Sequence, residues 1–193
     1  MSNIVAKNTG NALFIRLGHR DGAQPGIVRH IHISHMEVEV PFGRPDEAYD
    51  LRGPEVDFFH NPFPATIAGI PGHCIEDVEM ENITVTYPGR ATKGMAYIPL
   101  WDLKRVPEKI KDYPEFSMFG ELPAWGLYVR HAHNIRLKNI CFKLSDTDHR
   151  PAFVFDDVNR LSLADITLKN AGSHPQFIKN DDEKLTYLQP KNK

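Results

Sequence analysis

The chain has 193 residues, 41% of them hydrophobic and 25% charged, with a formal net charge of −2. That length allows one domain with a substantial core. The near-neutral charge offers no basic face for nucleic acid, and the lack of any apolar run of about 18 residues leaves no membrane-spanning helix to expect.

Two cysteines, Cys74 and Cys141, are too few for a disulfide framework or a zinc site. A single bridge between them stays open. Residues 1–7 lack the charged and apolar regions of a secretory signal. A cytoplasmic protein, a trimmed chain and a fragment all fit, so the sequence assigns no compartment.

Residues 1–10 are polar and read as a frayed start. Residues 11–18 read as a strand ended by Gly18, followed by a polar turn from His19 to Gly26. Residues 41–64 form an irregular insertion, and residues 65–69 a short strand. A longer insertion, 87–123, has room for one or two helical turns near 103–111, limited by Pro107 and Pro114. Residues 126–130 and 152–156 are two more short strands. Residues 171–193 form a tail without periodicity.

Between these segments one pattern recurs four times. Its apolar residues fall at Ile31, Ile33, Met36 and Val38, then at Val78, Met80, Ile83 and Val85. They fall next at Ile135, Leu137, Ile140 and Phe142, and finally at Leu161, Leu163, Ile166 and Leu168. Each copy is two alternating pairs with one extra residue between them. Alternation predicts a strand with one buried face; the extra residue predicts a corner that keeps the next pair facing inward. A unit of this kind has nothing of its own to pack against, whereas four in series stack.

A short strand precedes every copy, and Ala or Gly opens each: Ala12, Ala65, Gly126 and Ala152. Second and fourth places are expected to face inward, which sets Thr66 and Ala68 inside. Third and fifth places face outward, which puts Arg16, Gly69, Arg130 and Asp156 in one column. The prediction is an all-β, right-handed parallel β-helix, a solenoid of about four coils spanning residues 11–170. The two insertions project from it as loops. A β-sandwich also has many short strands, but Asp21-Gly22 is the single hairpin-turn pair, and the shared register of the four copies favours the solenoid.

Several stretches also resemble a known family. Residues 10–18, the run Ile67-Ala68-Gly69-Ile70-Pro71-Gly72-His73 and residues 117–130 are similar to the C-terminal half of bacterial polygalacturonase-like enzymes. These belong to glycoside hydrolase family twenty-eight, and the likeness is especially to forms common in gut Bacteroidetes. The resemblance covers about residues 10–170 and less than half of a typical member. It implies a parallel β-helix that hydrolyses galacturonan-type pectin with inversion, and a secreted or periplasmic setting. The implied partner is a pectic or other uronate-containing polysaccharide.

The family's catalysis uses aspartates from an Asn-Thr-Asp and an Asp-Asp motif and a Gly-His-Gly histidine. Asn8-Thr9-Gly10 and Gly18-His19-Arg20 match these only in part, and Asp156-Asp157 lies in the last copy. Adjacent strand residues point to opposite faces, so this pair does not supply the two separated carboxyls that inversion needs. No catalytic residue is assigned. The chain reads as a substrate-binding and capping portion, inactive alone; the alternative is a non-catalytic carbohydrate-binding or structural β-helix. An open first coil further implies self-association or pairing with an upstream N-terminal half.

The family's Arg-x-Lys cleft strand aligns with Phe14-Ile15-Arg16. Arg16 keeps a cation suited to a uronate carboxylate. Phe14 offers a stacking face or packs beneath a loop. His19 and Arg20, in the following turn, are cleft-edge candidates. Arg130 is either part of a basic floor or one half of an exposed ion pair with Asp156.

His30, His32 and His35 look like a cluster, but His30 and His32 simply alternate with Ile31 and Ile33 on the outer face and no carboxylate or cysteine completes a metal site; neither a metal nor another cofactor is expected. Trp101, Tyr113, Phe116, Phe119 and Trp125 make the second insertion aromatic, as sugar platforms or as anchors for a long loop. Asn82, Asn139 and Asn170 fall at corners, where Asn tolerates left-handed backbone.

Overall fold

A computed structural model describes residues 1–45, 48–182 and 184–191. Among them the chain is all-β apart from one 3-10 turn, Leu103–Arg105. The strands are β1 (Ser2–Lys7), β2 (Phe14–Arg16), β3 (Arg29–Glu39), β4 (Ala65–Ala68) and β5 (Ile75–Tyr87). They continue with β6 (Leu127–Leu144), β7 (Phe153–Lys169), β8 (Phe177–Asp181) and β9 (Lys184–Tyr187). No helix of the described residues is long and apolar enough to cross a membrane.

The sheet runs in the order β1-β3-β5-β6-β7-β8-β9, with β2 on β4 and β4 on β6. These pairings are parallel except β8 with β9. The four apolar quartets meet in register. Ile31 lies opposite Val78, Val78 opposite Ile135 and Ile135 opposite Leu161; Met36, Ile83, Ile140 and Ile166 line up likewise. These residues and their neighbours form one hydrophobic core. Stacking places like on like, so each apolar side chain covers the one before it.

The extra residue in each copy is a left-handed bend. Asn3, His35, Asn82, Asn139 and Asp165 have φ of 57, 55, 55, 51 and 55°. A second column, His30, Asp77, Asn134 and Arg160, has φ of 58, 52, 56 and 57°. Left-handed backbone costs an ordinary residue roughly 1–2 kcal/mol, and Asn and Asp offset this with local hydrogen bonds. Here the bonds run between neighbouring strands. Asn139 Nδ2 donates to Asn82 Oδ1 at 2.7 Å, and Asn134 Nδ2 to Asp77 Oδ1 at 2.6 Å. Asn170, also expected at a corner, has φ of 62°.

Inside, Phe142, Phe153 and Phe177 stack face to face, with ring centroids 5.0 Å apart at each step. The buried Tyr87 hydroxyl donates to Gly126 O at 2.7 Å and accepts from Ala65 N at 3.2 Å. Gly126 is required where it stands: a Cβ there would meet Phe142 Cδ2 at 2.7 Å and Ala152 O at 2.8 Å.

Four expectations change. The frayed start is instead β1, whose Ile4 and Ala6 lie opposite Met36 and Val38 and extend the repeat by half a copy. The tail contains β8 and β9. In the second short strand the inward residues are Ala65 and Ile67, not Thr66 and Ala68, because Ile67 lies opposite Ile15 and Val129. The outward column therefore reads Arg16, Ala68, Arg130, Asp156, Asn180, and Gly69 opens no gap in it. Finally, Arg130 and Asp156 are each only 7% exposed, so their pairing is buried and is not a surface ion pair.

Candidate functional site

The outward face of the short strands is roofed. Leu103, Val106, Met118, Phe119 and Leu122 of the second insertion pack on Ala68, Tyr128, Val154 and Ile178, with Phe14 against the same cluster. Phe14 and Phe119 lie 6.3 Å apart between centroids. Phe14 thus packs beneath a loop. A loop this long needs such a face to sit on.

Polar ties hold the roof at its two ends. At one end, buried Arg150 donates to Asp148, Glu121 Oε1 and the carbonyl of Asn61. His60 Nε2 lies 2.7 Å from Glu121 Oε2. Both insertions and the turn at 145–150 meet there. Surrounding carboxylates raise the Arg150 pKa against its burial.

At the other end, Arg16 Nη1 donates to the carbonyls of Ala68 and Gly69, and Nη2 to the carbonyl of Glu108 at 2.6 Å. Its guanidinium also stands 5.2 Å over the Phe119 ring. Burial lowers its pKa to about 10, which leaves it cationic at neutral pH. Arg16 is thereby a clamp between β2 and the roof.

Arg130 stands two strands on in the same column. Its Nη1 donates to Val106 O at 2.8 Å, and its Nη2 lies 2.7 Å from Glu108 Oε1. Its Nε is 3.0 Å from Asp156 Oδ2, close enough for an ion pair, although the N–H is not aimed along the contact. Asp156 Oδ1 accepts from Asn180 Nδ2 at 2.8 Å, and Oδ2 from the Tyr128 hydroxyl at 3.4 Å.

His131 completes the group, with Nε2 3.2 Å from Glu108 Oε1 and Nδ1 2.7 Å from Asp157 Oδ2. Burial works against a protonated His131, but hydrogen bonds to Glu108 and Asp157 outweigh it and raise its pKa. Burial likewise pushes Glu108 upward, yet His131, Arg130 and Arg16 hold it below the usual carboxylate range.

Beside this group lies a cleft of ≈ 620 Å³, with Arg130, His131, Asp156 and Asn180 as its polar floor and Trp101 on its wall. Trp101 is 67% exposed. The aromatic residues of the insertion therefore divide. Phe119 is a buried anchor of the roof, Trp125 is instead buried in the inner core against Tyr87 and Phe142, and Phe116 packs edge-on against Phe63 at 5.3 Å. Trp101 and Tyr113 remain open to solvent. An exposed indole beside fixed hydrogen-bonding groups suits a pyranose, which presents an apolar face and a rim of hydroxyls.

His19 and Arg20 lie apart from this cleft. His19 Nε2 is 3.0 Å from Gly22 O, and Arg20 stands 5.3 Å over the Tyr113 ring, which Arg52 approaches at 5.1 Å. Of the five substrate-contact candidates, only Arg130 lines the Trp101 cleft. Glu108, His131 and Asn180 were not singled out for the site by sequence. Their single signal is position: Asn180 continues the Arg130–Asp156 column, and Glu108 sits in the insertion that crosses it.

The outer histidines do not converge. His30 Nδ1 lies 3.2 Å from Asp77, His32 Nε2 3.4 Å from Glu81, and His35 Nε2 3.3 Å from Asn82. Cys74 and Cys141 are free thiols. Comparison of the chain with protein-family models, with curated proteins and with solved structures found no match.

Proposed function

We propose that this chain is a right-handed parallel β-helix of about four coils that binds a pectic or other uronate-containing polysaccharide in the Trp101 cleft. It serves as the substrate-binding portion of a polygalacturonase-like glycoside hydrolase whose catalytic aspartates lie elsewhere. The solenoid reading draws support from the parallel in-register quartets and the left-handed columns. The binding reading rests on one observation above the rest: a largely exposed indole beside a hydrogen-bonded polar floor.

In the bound state the sugar ring stacks on Trp101, and its hydroxyls reach the Asn180 amide and the Asp156 carboxylate. Arg130 and His131 are the cations of this floor, already paired with Glu108, Asp156 and Asp157, and a uronate carboxylate competes with these partners for them. Asp156 and Glu108 both lie against the Arg130 guanidinium. A shared counter-ion suits them to holding and orienting, not to a general acid and base set across a scissile bond. The same observation favours the second reading, a non-catalytic carbohydrate-binding β-helix.

Calorimetric titration with oligogalacturonides tests binding, and incubation with polygalacturonate tests turnover. Binding is expected, weakened about tenfold by Trp101→Ala, with no release of reducing ends. Absence of binding heat would reject the sugar-binding role, and turnover by this chain would reject the assignment of catalysis to another segment.

A further inference from the structure

Trp101 is not the end of the candidate surface. On its far side lies a second cleft, of ≈ 540 Å³, whose wall includes Tyr97, Ile98, Leu100, Pro151, Leu185 and Tyr187. Tyr97 and Tyr187 are 51% and 63% exposed. Three open aromatic rings thus serve two adjoining hollows, and Trp101 lines both.

The chemistry of the two hollows differs. The first has a floor of charged and amide groups. In the second, the Arg150 guanidinium is fully engaged by Asp148, Glu121 and backbone carbonyls. His149 directs Nε2 to the Ala96 carbonyl, and burial lowers its pKa, so its ring is neutral at neutral pH. His174 Nε2 lies 3.0 Å from the Arg150 carbonyl. Lys93 is exposed where it borders the cleft. A free carboxylate entering here would lose water without gaining a buried cationic partner, while a methyl group would gain apolar cover.

We propose that the Tyr97–Tyr187 hollow is a second subsite that accepts an uncharged sugar unit, and for a uronate chain a methyl-esterified one, while its neighbour occupies the polar cleft across Trp101. This rests on the proposed sugar-binding reading and adds to it both a direction and a substrate class. The occupant is the continuing oligosaccharide, because one indole borders both hollows and a chain stacked on it is led from one to the other.

The test uses the full chain and three probes: the galacturonate dimer, the hexamer and an esterified hexamer in which methyl-esterified units alternate with free-acid ones. The esterified hexamer is expected to bind about tenfold tighter than the free acid. Tyr97→Ala should reduce affinity for the esterified hexamer about tenfold and leave dimer affinity unchanged. A second variant, Tyr187→Ala, checks the opposite wall and should act in the same direction. If the dimer binds but the two hexamers bind alike, or both tyrosine variants leave the esterified hexamer unaffected, the second subsite is refuted while the first cleft stands. If no probe binds, both readings fall together.

Discussion

His131 joins two strands and the roof through one ring. Its pKa is raised, so its contribution to stability is present below the ordinary value of 6.5 and is lost as pH rises through the folded value. Glu108 has the opposite sign: its pKa is depressed, so its contribution is present above 4.5 and is lost as pH falls through the folded value. Attachment of residues 103–111 is therefore strongest in the mildly acidic range between these limits. His131→Gln should lower the unfolding temperature most at about pH 5.5, with the gap narrowing toward about pH 9. A gap independent of pH would contradict the assignment.

At the same scale, the corner asparagines were legible because Asn marks left-handed backbone, and Asn82 and Asn139 occupy such positions. Arg16 was legible as a cation on an outward face. Its role as a clamp was not, because its partners are carbonyls of Ala68, Gly69 and Glu108, and a backbone carbonyl leaves no trace in residue type. The role of His131 is hidden in the sequence for a similar reason. Its partners Glu108 and Asp157 lie 23 and 26 residues away in sequence.

Among the elements, the long bent strands were readable in full, since four quartets of large apolar residues fix their register. A slip by one residue would turn every side chain to the wrong face. The second short strand is shifted by one place from its expected facing. Its Ala65-Thr66-Ile67-Ala68 has small residues on both faces, and only Ile67 carries a strong preference. The roof was the least legible element. Its apolar residues are spread over residues 103–122 without period, and they find their seat only once Tyr128 and Val154 are stacked beneath them.

Among the described residues β1 and β2 each pair on one side only, with β3 and β4 respectively. Their free edges leave backbone donors and acceptors open to another strand. Met1, Val5 and Ile27 nearby are each 73% exposed. The isolated chain is expected to associate with a second copy through this end. Light scattering should show a mass that rises with concentration, and Val5→Lys should suppress the rise by placing a charge along the edge. A concentration-independent monomer would contradict this.

Taken whole, the molecule has an inner core that stacks like upon like and an outer face on which one insertion rests. The inner core carries the fold, and the polar residues under and beside the insertion make the surface proposed for a ligand. Trp101 stands where these meet, and it differs sharply from Trp125, which is fully buried and donates to Gln176 Oε1 at 3.2 Å. The two tryptophans therefore report separately on surface and core. Titration of the chain with a galacturonate hexamer, followed by tryptophan emission, is the most direct measurement. A saturable blue shift is predicted, lost in Trp101→Phe while the emission of Trp125 is unchanged. No shift, or one that persists in Trp101→Phe, would contradict sugar binding in this cleft.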